Sequence, residues 1–237
     1  MGKDARMAAY LIRSPTMPDS LALNARPALL DDAAARALVE GYGKVSPVAA
    51  KKDIGRIDVH MKRFIEMAPF CCVSTADATG RQDVTPRGDP AGSFKVLDEH
   101  TLAIPDRPGN NRLDTLHNLL VNPNIGLLFM IPGMNETTRV NGVARLSTDP
   151  ELLASMAVQG KAPRSAIVVE VRQAYMHCPK AFLRSKLWDP AAHIDRKIFP
   201  SLVCMIGDQV GLDQPTRDAA EERSARAYRD GLWEPIK

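Results

Sequence analysis

Residues Asp106, Arg107, Pro108, Gly109, Asn110, Asn111 and Arg112 set two guanidiniums and two carboxamides in one loop, between an apolar run ending at Ile104 and an apolar-periodic run beginning at Leu113. The second run predicts a helix over 111–120 with Leu113, Leu116, Leu119 and Leu120 inward. Free N–H groups and the positive end of the dipole favour an anion at a helix start. Arginine adds bidentate grip on phosphate oxygens. The loop therefore suits a phosphate, although Asp, Asn and Gly also serve any turn. A second cluster, Thr85-Pro86-Arg87-Gly88-Asp89, ends the preceding strand and adds a cation.

Several elements must position these residues. Asp31 or Asp32 caps a helix over 33–40, stopped by Gly41 and Gly43. A second helix is expected over 53–67, with Ile54, Ile57, Met61, Phe64 and Ile65 on one face. Strands are expected at 70–75, 81–87, 94–97, 101–104, 125–131, 137–147 and 166–175, punctuated by turn residues. A short helix over 150–157 is capped by Thr148 or Asp149, and an amphipathic helix is expected over 215–230. Six or so strands with few, short helices argue a closed or nearly closed antiparallel barrel. Residues 1–50 form an arm with a helix, 51–178 the barrel domain, and 179–237 a helical extension packed on the barrel or on a partner.

Length and composition narrow the class. The chain has 237 residues, 45% hydrophobic and 25% charged, enough to bury a core without staples. A net charge of +3 with no basic stripe gives no argument for nucleic acid. The adjacent pair Cys71 and Cys72, with Cys178 and Cys204, makes no C-x-x-C, so buried reduced thiols are expected. Met1 to Tyr10 lacks a signal-peptide core, and no apolar run approaches the roughly 20 residues of a membrane span. The expectation is a cytoplasmic protein without membrane partners. His177 beside Cys178 evokes a metal site or an ion pair, but neighbours on a strand face opposite ways and no second cluster completes a metal site. Cys178 is expected to pack, and His177 to face a cleft. Trp188 and Trp233 are expected to pack the tail onto the barrel.

The order V-T-P-R-G-D, L-A-I-P-D-R-P-G-N-N-R-L-D-T-L, N-P-x-I-G-L-L-F and P-G-x-x-E-T-x-R-V-N-G resembles the pyridoxamine 5′-phosphate oxidase-like superfamily of split-barrel flavoproteins. Within it, the chain is most similar to the branch of FMN-dependent enzymes with unassigned substrates. The similarity covers roughly residues 50–190, with G-K-A-P-R-S and H-C-P-K-A also in pattern. The resemblance implies a mainly β fold, a six-stranded antiparallel split barrel with helical N- and C-terminal extensions. It implies a homodimer with FMN in each of two clefts between subunits.

Carried onto this sequence, Arg87, Gly88 and Asp89 would lie beside the flavin ring or ribityl chain, and Pro105, Asp106 and Arg107 would continue the wall. Asn110, Asn111 and Arg112 would take the phosphate. Asn111 stands where the family has a cation, leaving Arg107 or Arg87 to supply that charge. Thr138 and Arg139 would approach the isoalloxazine edge. The partner would contribute Lys161 to Arg164 and the strand end near His177. Candidates for a catalytic role are His177, Lys161 and Arg139. The C-terminus lacks the arginine- and histidine-containing ending that grips pyridoxal phosphate, which argues against vitamin B6 oxidation. The implied activity is an FMN-dependent oxidoreductase moving hydride between NAD(P)H or an organic donor and a small acceptor or oxygen. The alternatives are an F420-dependent reductase and a non-catalytic flavin- or haem-binding barrel.

Overall fold

A computed structural model of the chain describes residues 29–233. The proline-bearing arm expected over 1–30 lies outside the described residues up to position 28. Two compact units are present. Among the described residues, one comprises 29–46 and 194–200, the other 47–193 and 201–233.

In the smaller unit, helix α1 (Asp32–Gly41) starts where an acidic cap was expected. The Asp31 carboxylate accepts the Ala34 N–H at 2.8 Å. None of its side chains is buried.

The larger unit begins with α2 (Pro47–Lys51) and α3 (Val59–Met67) in place of one helix over 53–67. Gly55, at φ +67°, turns the chain out of the helical region, and Asp58 then caps α3 by accepting from His60 and Met61 N–H. Ile57, Met61, Phe64 and Ile65 are buried as their spacing requires, while Ile54, ahead of the break, is largely exposed.

One antiparallel sheet follows: β1 (Phe70–Ala76), β2 (Gln82–Gly88), β3 (Lys95–Asp98), β4 (Thr101–Asp106), β5 (Asn124–Met130), β6 (Thr137–Ser147) and β7 (Ser165–His177). Its strand order is β2-β1-β5-β6-β7-β4-β3. Helix α4 (Asp114–Val121) sits between β4 and β5, and α5 (Pro150–Ser155), capped by Asp149, between β6 and β7.

Two expectations are corrected here. The sheet has seven strands, one for each run read from the residues, rather than the six of the expected split barrel. The sheet also stays open, since β2 and β3 form its edges and do not pair with each other. β3 offers only four residues with a register shift after Val96, and Pro86 removes a donor from β2. Neither edge can sustain a closing ladder.

The core lies against the long strands β6 and β7. Phe94 meets Phe129 edge-on at 5.3 Å, among Ile65, Leu102, Ile104, Leu127 and Ile167. Where β6 slips register at Asn141/Gly142, a Cβ on Gly142 would stand 2.2 Å from the Glu170 carbonyl oxygen. Only glycine lets the strands approach so closely there.

After β7 the chain forms α6 (Lys180–Ser185), α7 (Leu202–Val210) and α8 (Gln214–Asp230). Trp188 ties the start of this tail to the sheet: it stacks on Phe182 and donates its indole N–H to the Met134 carbonyl at 2.7 Å. No residue of α8 is fully buried, and Arg217, Ala220, Ser224 and Ala227 are half-buried along one face. The helix closes on α7 through Arg217, bound to Asp208 at 2.6 Å, and Glu221, bound by Ser201. No helix among the described residues is long and apolar enough to cross a membrane.

Candidate functional site

The loop after β4 is held at its first residue, where Asp106 pairs with Ser165 of β7. From there it runs through two left-handed residues, Asn111 and Leu113, both at φ 61°. Non-glycine residues in this region cost of order 1–2 kcal/mol each and occur where surrounding structure holds them. They delay the helix, so α4 begins at Asp114 instead of 111. Leu119 is buried and Leu116 packs against the core as expected, but Leu113 and Leu120 are exposed and Thr115 turns inward. Leu113 occupies the N-cap with no side-chain hydrogen bond. The first-turn N–H groups therefore gain no acceptor from a capping side chain, the condition in which a helix start accepts an external anion. Arg112 lies at the mouth, its Nε 2.7 Å from the Asp114 carboxylate, with both side chains well exposed.

Arg87 reaches the same place from β2. Its guanidinium stands 3.6 Å from the Asp106 carboxylate, with both side chains less than one-fifth exposed. Its Nε is buried without a hydrogen-bond partner. Such an orphaned charged donor is expensive unless a ligand completes it. Burial pushes the Asp106 carboxyl above the usual carboxylate range, and the Arg87 charge pulls it back. A cleft of about 640 Å³ opens here, lined by Asp83, Thr85, Arg87, Asp106, Arg107, Asn110, Asn111, Arg112, Asp114, Thr115 and Arg164 among others. That volume falls within the range of small-molecule sites.

Arg107, the other candidate for the missing charge, is spent internally. Nε donates to Asp89 Oδ2 at 2.7 Å, Nη1 to the Lys161 carbonyl at 3.1 Å and Nη2 to the Met156 carbonyl at 2.6 Å. The Asp89 side chain is 1% exposed, and its second oxygen accepts the Trp233 indole N–H at 3.0 Å. A second cleft of about 620 Å³ lies beside this tie, lined by Pro86, Gly88, Asp89, Phe94, Pro105 and Trp233 with others. The two clefts share the wall Thr85, Arg87, Arg107, Pro108, Gly109 and Asn110.

The candidate residues thus divide. Arg87, Gly88, Asp89, Pro105, Asp106, Arg107, Asn110, Asn111 and Arg112 gather around the two clefts. Arg164, expected from a partner subunit, lines the first cleft of its own chain, and Lys161 supplies its carbonyl to Arg107. Thr138, Arg139 and His177 are elsewhere. Thr137 pairs with His177 at the far end of β7, whereas Ser165 pairs with Asp106 at the near end. Twelve residue steps along β7 separate those ends, about 40 Å of extended chain. At the far end Thr138 is fully buried and donates to Met176 Sδ at 2.8 Å. Lys52 and Arg139 lie 4.4 and 5.1 Å from the Tyr175 ring centroid, and the His177 ring stands 5.0 Å from it. Burial, then Lys52 and Arg139, hold the His177 imidazole below its ordinary range. Cys178 is exposed rather than packed, and of the four cysteines only Cys71 is buried.

Sequence reasoning missed Asp83, Thr115 and Trp233 as lining residues. Asp83, Thr85 and Arg87 alternate along β2 and share one side, so a period-two reading of that strand finds the first. Thr115 then follows through its hydroxyl, 3.3 Å from Asp83 Oδ2. Nothing local marks Trp233, 144 residues from its acceptor.

No curated protein matches the sequence. Among solved structures, HupZ from Group A Streptococcus is 20% identical, covering 50% of this chain and 91% of its own, with a TM-score of 0.41. A putative pyridoxamine 5′-phosphate oxidase from Lactobacillus delbrueckii is 16% identical, covering 52% and 98%, with a TM-score of 0.42. The heme storage protein HutZ from Vibrio cholerae is 14% identical, covering 52% and 94%, with a TM-score of 0.35. The profile of the family described as pyridoxamine 5′-phosphate oxidase matches residues 57–178. That span is just over half of the chain and contains all seven strands with the loop between β4 and α4, and on it the chain belongs to the pyridoxamine 5′-phosphate oxidase-like family.

Proposed function

We propose that the protein is an FMN-dependent oxidoreductase, with the cofactor's ribityl phosphate in the cleft between Arg87, the 106–112 loop and the start of α4. The observation that carries this reading is Arg87. It is a nearly buried guanidinium with an unpartnered Nε, lining the same cleft as a helix start that has no capping side chain. A phosphate oxygen supplies what both lack. Family membership supports FMN as the source of that phosphate. Bound there, FMN would supply two-electron redox chemistry. The chain's own part is to bind and orient: Arg87, Arg112 and Arg164 neutralise the phosphate, and the Arg107–Asp89 tie keeps the loop in shape. Because each nitrogen of Arg107 already donates to a protein acceptor, Arg87 takes the role of the cation that Asn111 does not provide.

The separation of Thr138, Arg139 and His177 from the cleft fits a homodimer. A second copy would bring its far strand end to this cleft, giving two cofactor sites at the interface. The electron donor is NAD(P)H or an organic substrate, and the acceptor a small molecule or oxygen.

The absorption spectrum of the purified protein, before and after adding FMN, tests the reading. Flavin bands that survive desalting, with reduction of the flavin by an added donor, are the expected result. Arg87→Ala should weaken FMN retention by roughly 10- to 100-fold, the worth of a charge-assisted hydrogen bond. Failure to take up FMN, or a Soret band or a deazaflavin spectrum in its place, rejects the assignment.

A further inference from the structure

We propose that Leu232 and Trp233 form a strap across the second cleft, latched on Asp89, which opens when the cofactor enters or leaves. The proposal rests on the reading above, in which the residues around this cleft lie beside the flavin. Three observations carry it.

The first is position. Past the end of α8, Leu232 and Trp233 line the cleft together with Gly88, Asp89, Phe94 and Pro105. About 620 Å³ stays open beside them. The segment therefore covers the cleft without filling it, as a lid does and an inhibitory plug does not.

The second is the latch. Asp89 Oδ1 accepts the Trp233 indole N–H at 3.0 Å, while Oδ2 accepts Arg107 Nε at 2.7 Å. Arg107 keeps the carboxylate aimed whether the strap is shut or open, so the acceptor is preformed. A hydrogen bond to a carboxylate shifts the ratio of shut to open by roughly 10- to 100-fold. The same carboxylate thus holds both the 106–112 loop and the end of the tail.

The third is how lightly the segment is buried. Leu232 is 57% exposed, Trp233 is half-buried, and no residue of α8 is fully buried. Opening exposes little new apolar surface, and segments with few buried contacts are the first to open. The start of the tail stays fixed meanwhile, by Trp188 on the Met134 carbonyl and the Phe182 ring.

The test compares the parent with Trp233→Phe, which keeps a ring and deletes the N–H, and with Trp233→Ala, which deletes both. FMN uptake is timed after mixing, and FMN loss by the flavin retained after dilution and rapid desalting. A strap limits traffic in both directions. Trp233→Phe should therefore accelerate uptake and loss alike, each by roughly tenfold or more, with Trp233→Ala at least as fast. Rates unmoved in both variants overturn the proposal. Faster loss with unchanged uptake also overturns it, since that pattern marks a plain contact with the cofactor. Brief trypsin treatment without FMN reads the latch separately, and mass mapping should show the bond after Arg229 cut roughly tenfold faster in Trp233→Phe. A parent protein that takes up no FMN but shows this difference would keep the latch and sink the flavin reading. A parent that binds FMN at rates the variants do not change would sink only the strap.

Discussion

Arg107 donates its Nε to Asp89 at 2.7 Å, with side chains only 11% and 1% exposed, and its other two nitrogens go to main-chain carbonyls. One guanidinium thus joins the end of β2, the loop after β4 and the turn before β7. An arginine that reads as a ligand contact in the sequence is a structural fastener.

That geometry predicts a large stability loss for Arg107→Ala. The variant strands a buried carboxylate, and breaking such a pair costs about 3–5 kcal/mol. Arg107→Lys should recover little, because an ammonium cannot reach three divergent acceptors. Urea unfolding measures both; a change under 1 kcal/mol, roughly the worth of an exposed pair, would contradict the assignment.

Gly142→Ala is expected to cost about 2 kcal/mol or more. Its Cβ would meet the Glu170 carbonyl at 2.2 Å and Val169 Cγ1 at 2.9 Å, so two long strands must part at the register shift. A drop in the thermal midpoint checks this, and an unchanged midpoint would show that the bulge relaxes freely.

Thiol chemistry should separate the cysteines. Burial, with the neighbouring Cys72, pushes the Cys71 thiol up to about 12, so at pH 8 about one molecule in ten thousand carries its thiolate. Cys178 is exposed. Iodoacetamide followed by peptide mass mapping should label Cys178 in the native protein and Cys71 only after denaturation.

His177 gives a pH signature. Its folded-state pKa is depressed below the ordinary 6.5 by burial first, then by Lys52 and Arg139. The unfolded chain therefore takes up a proton that the folded chain still refuses. Its contribution to stability is complete above about pH 6.5 and is lost as pH falls through the folded-state value. A histidine titration followed by NMR should show a low midpoint that rises in Lys52→Gln. An unmoved midpoint would mean that the Lys52 charge is not felt.

The residues themselves determined a good deal here. Alternating β-branched runs over 137–147 and 166–175 specified β6 and β7 within two residues, because a half-buried strand needs that period and tolerates little else. Asp31 and Asp149 marked helix starts, since a carboxylate one residue ahead of a helix satisfies N–H groups that otherwise go unpaired. The loop of 106–112 was legible as a candidate anion site from its residue types alone.

Tertiary structure decided which of those residues are available. Asn111 and Leu113 adopt left-handed backbone, which a leucine rarely does, and this moves the helix start to Asp114. Arg87 and Arg107 are equivalent as letters. They differ because the fold brings an acceptor to each nitrogen of Arg107 and leaves Nε of Arg87 with none. Trp233 meets Asp89 across 144 residues, a contact with no local pattern, since it depends on where the last helix ends in space. Hydrogen-bond saturation is a property of neighbours, and neighbours distant in sequence are set by packing.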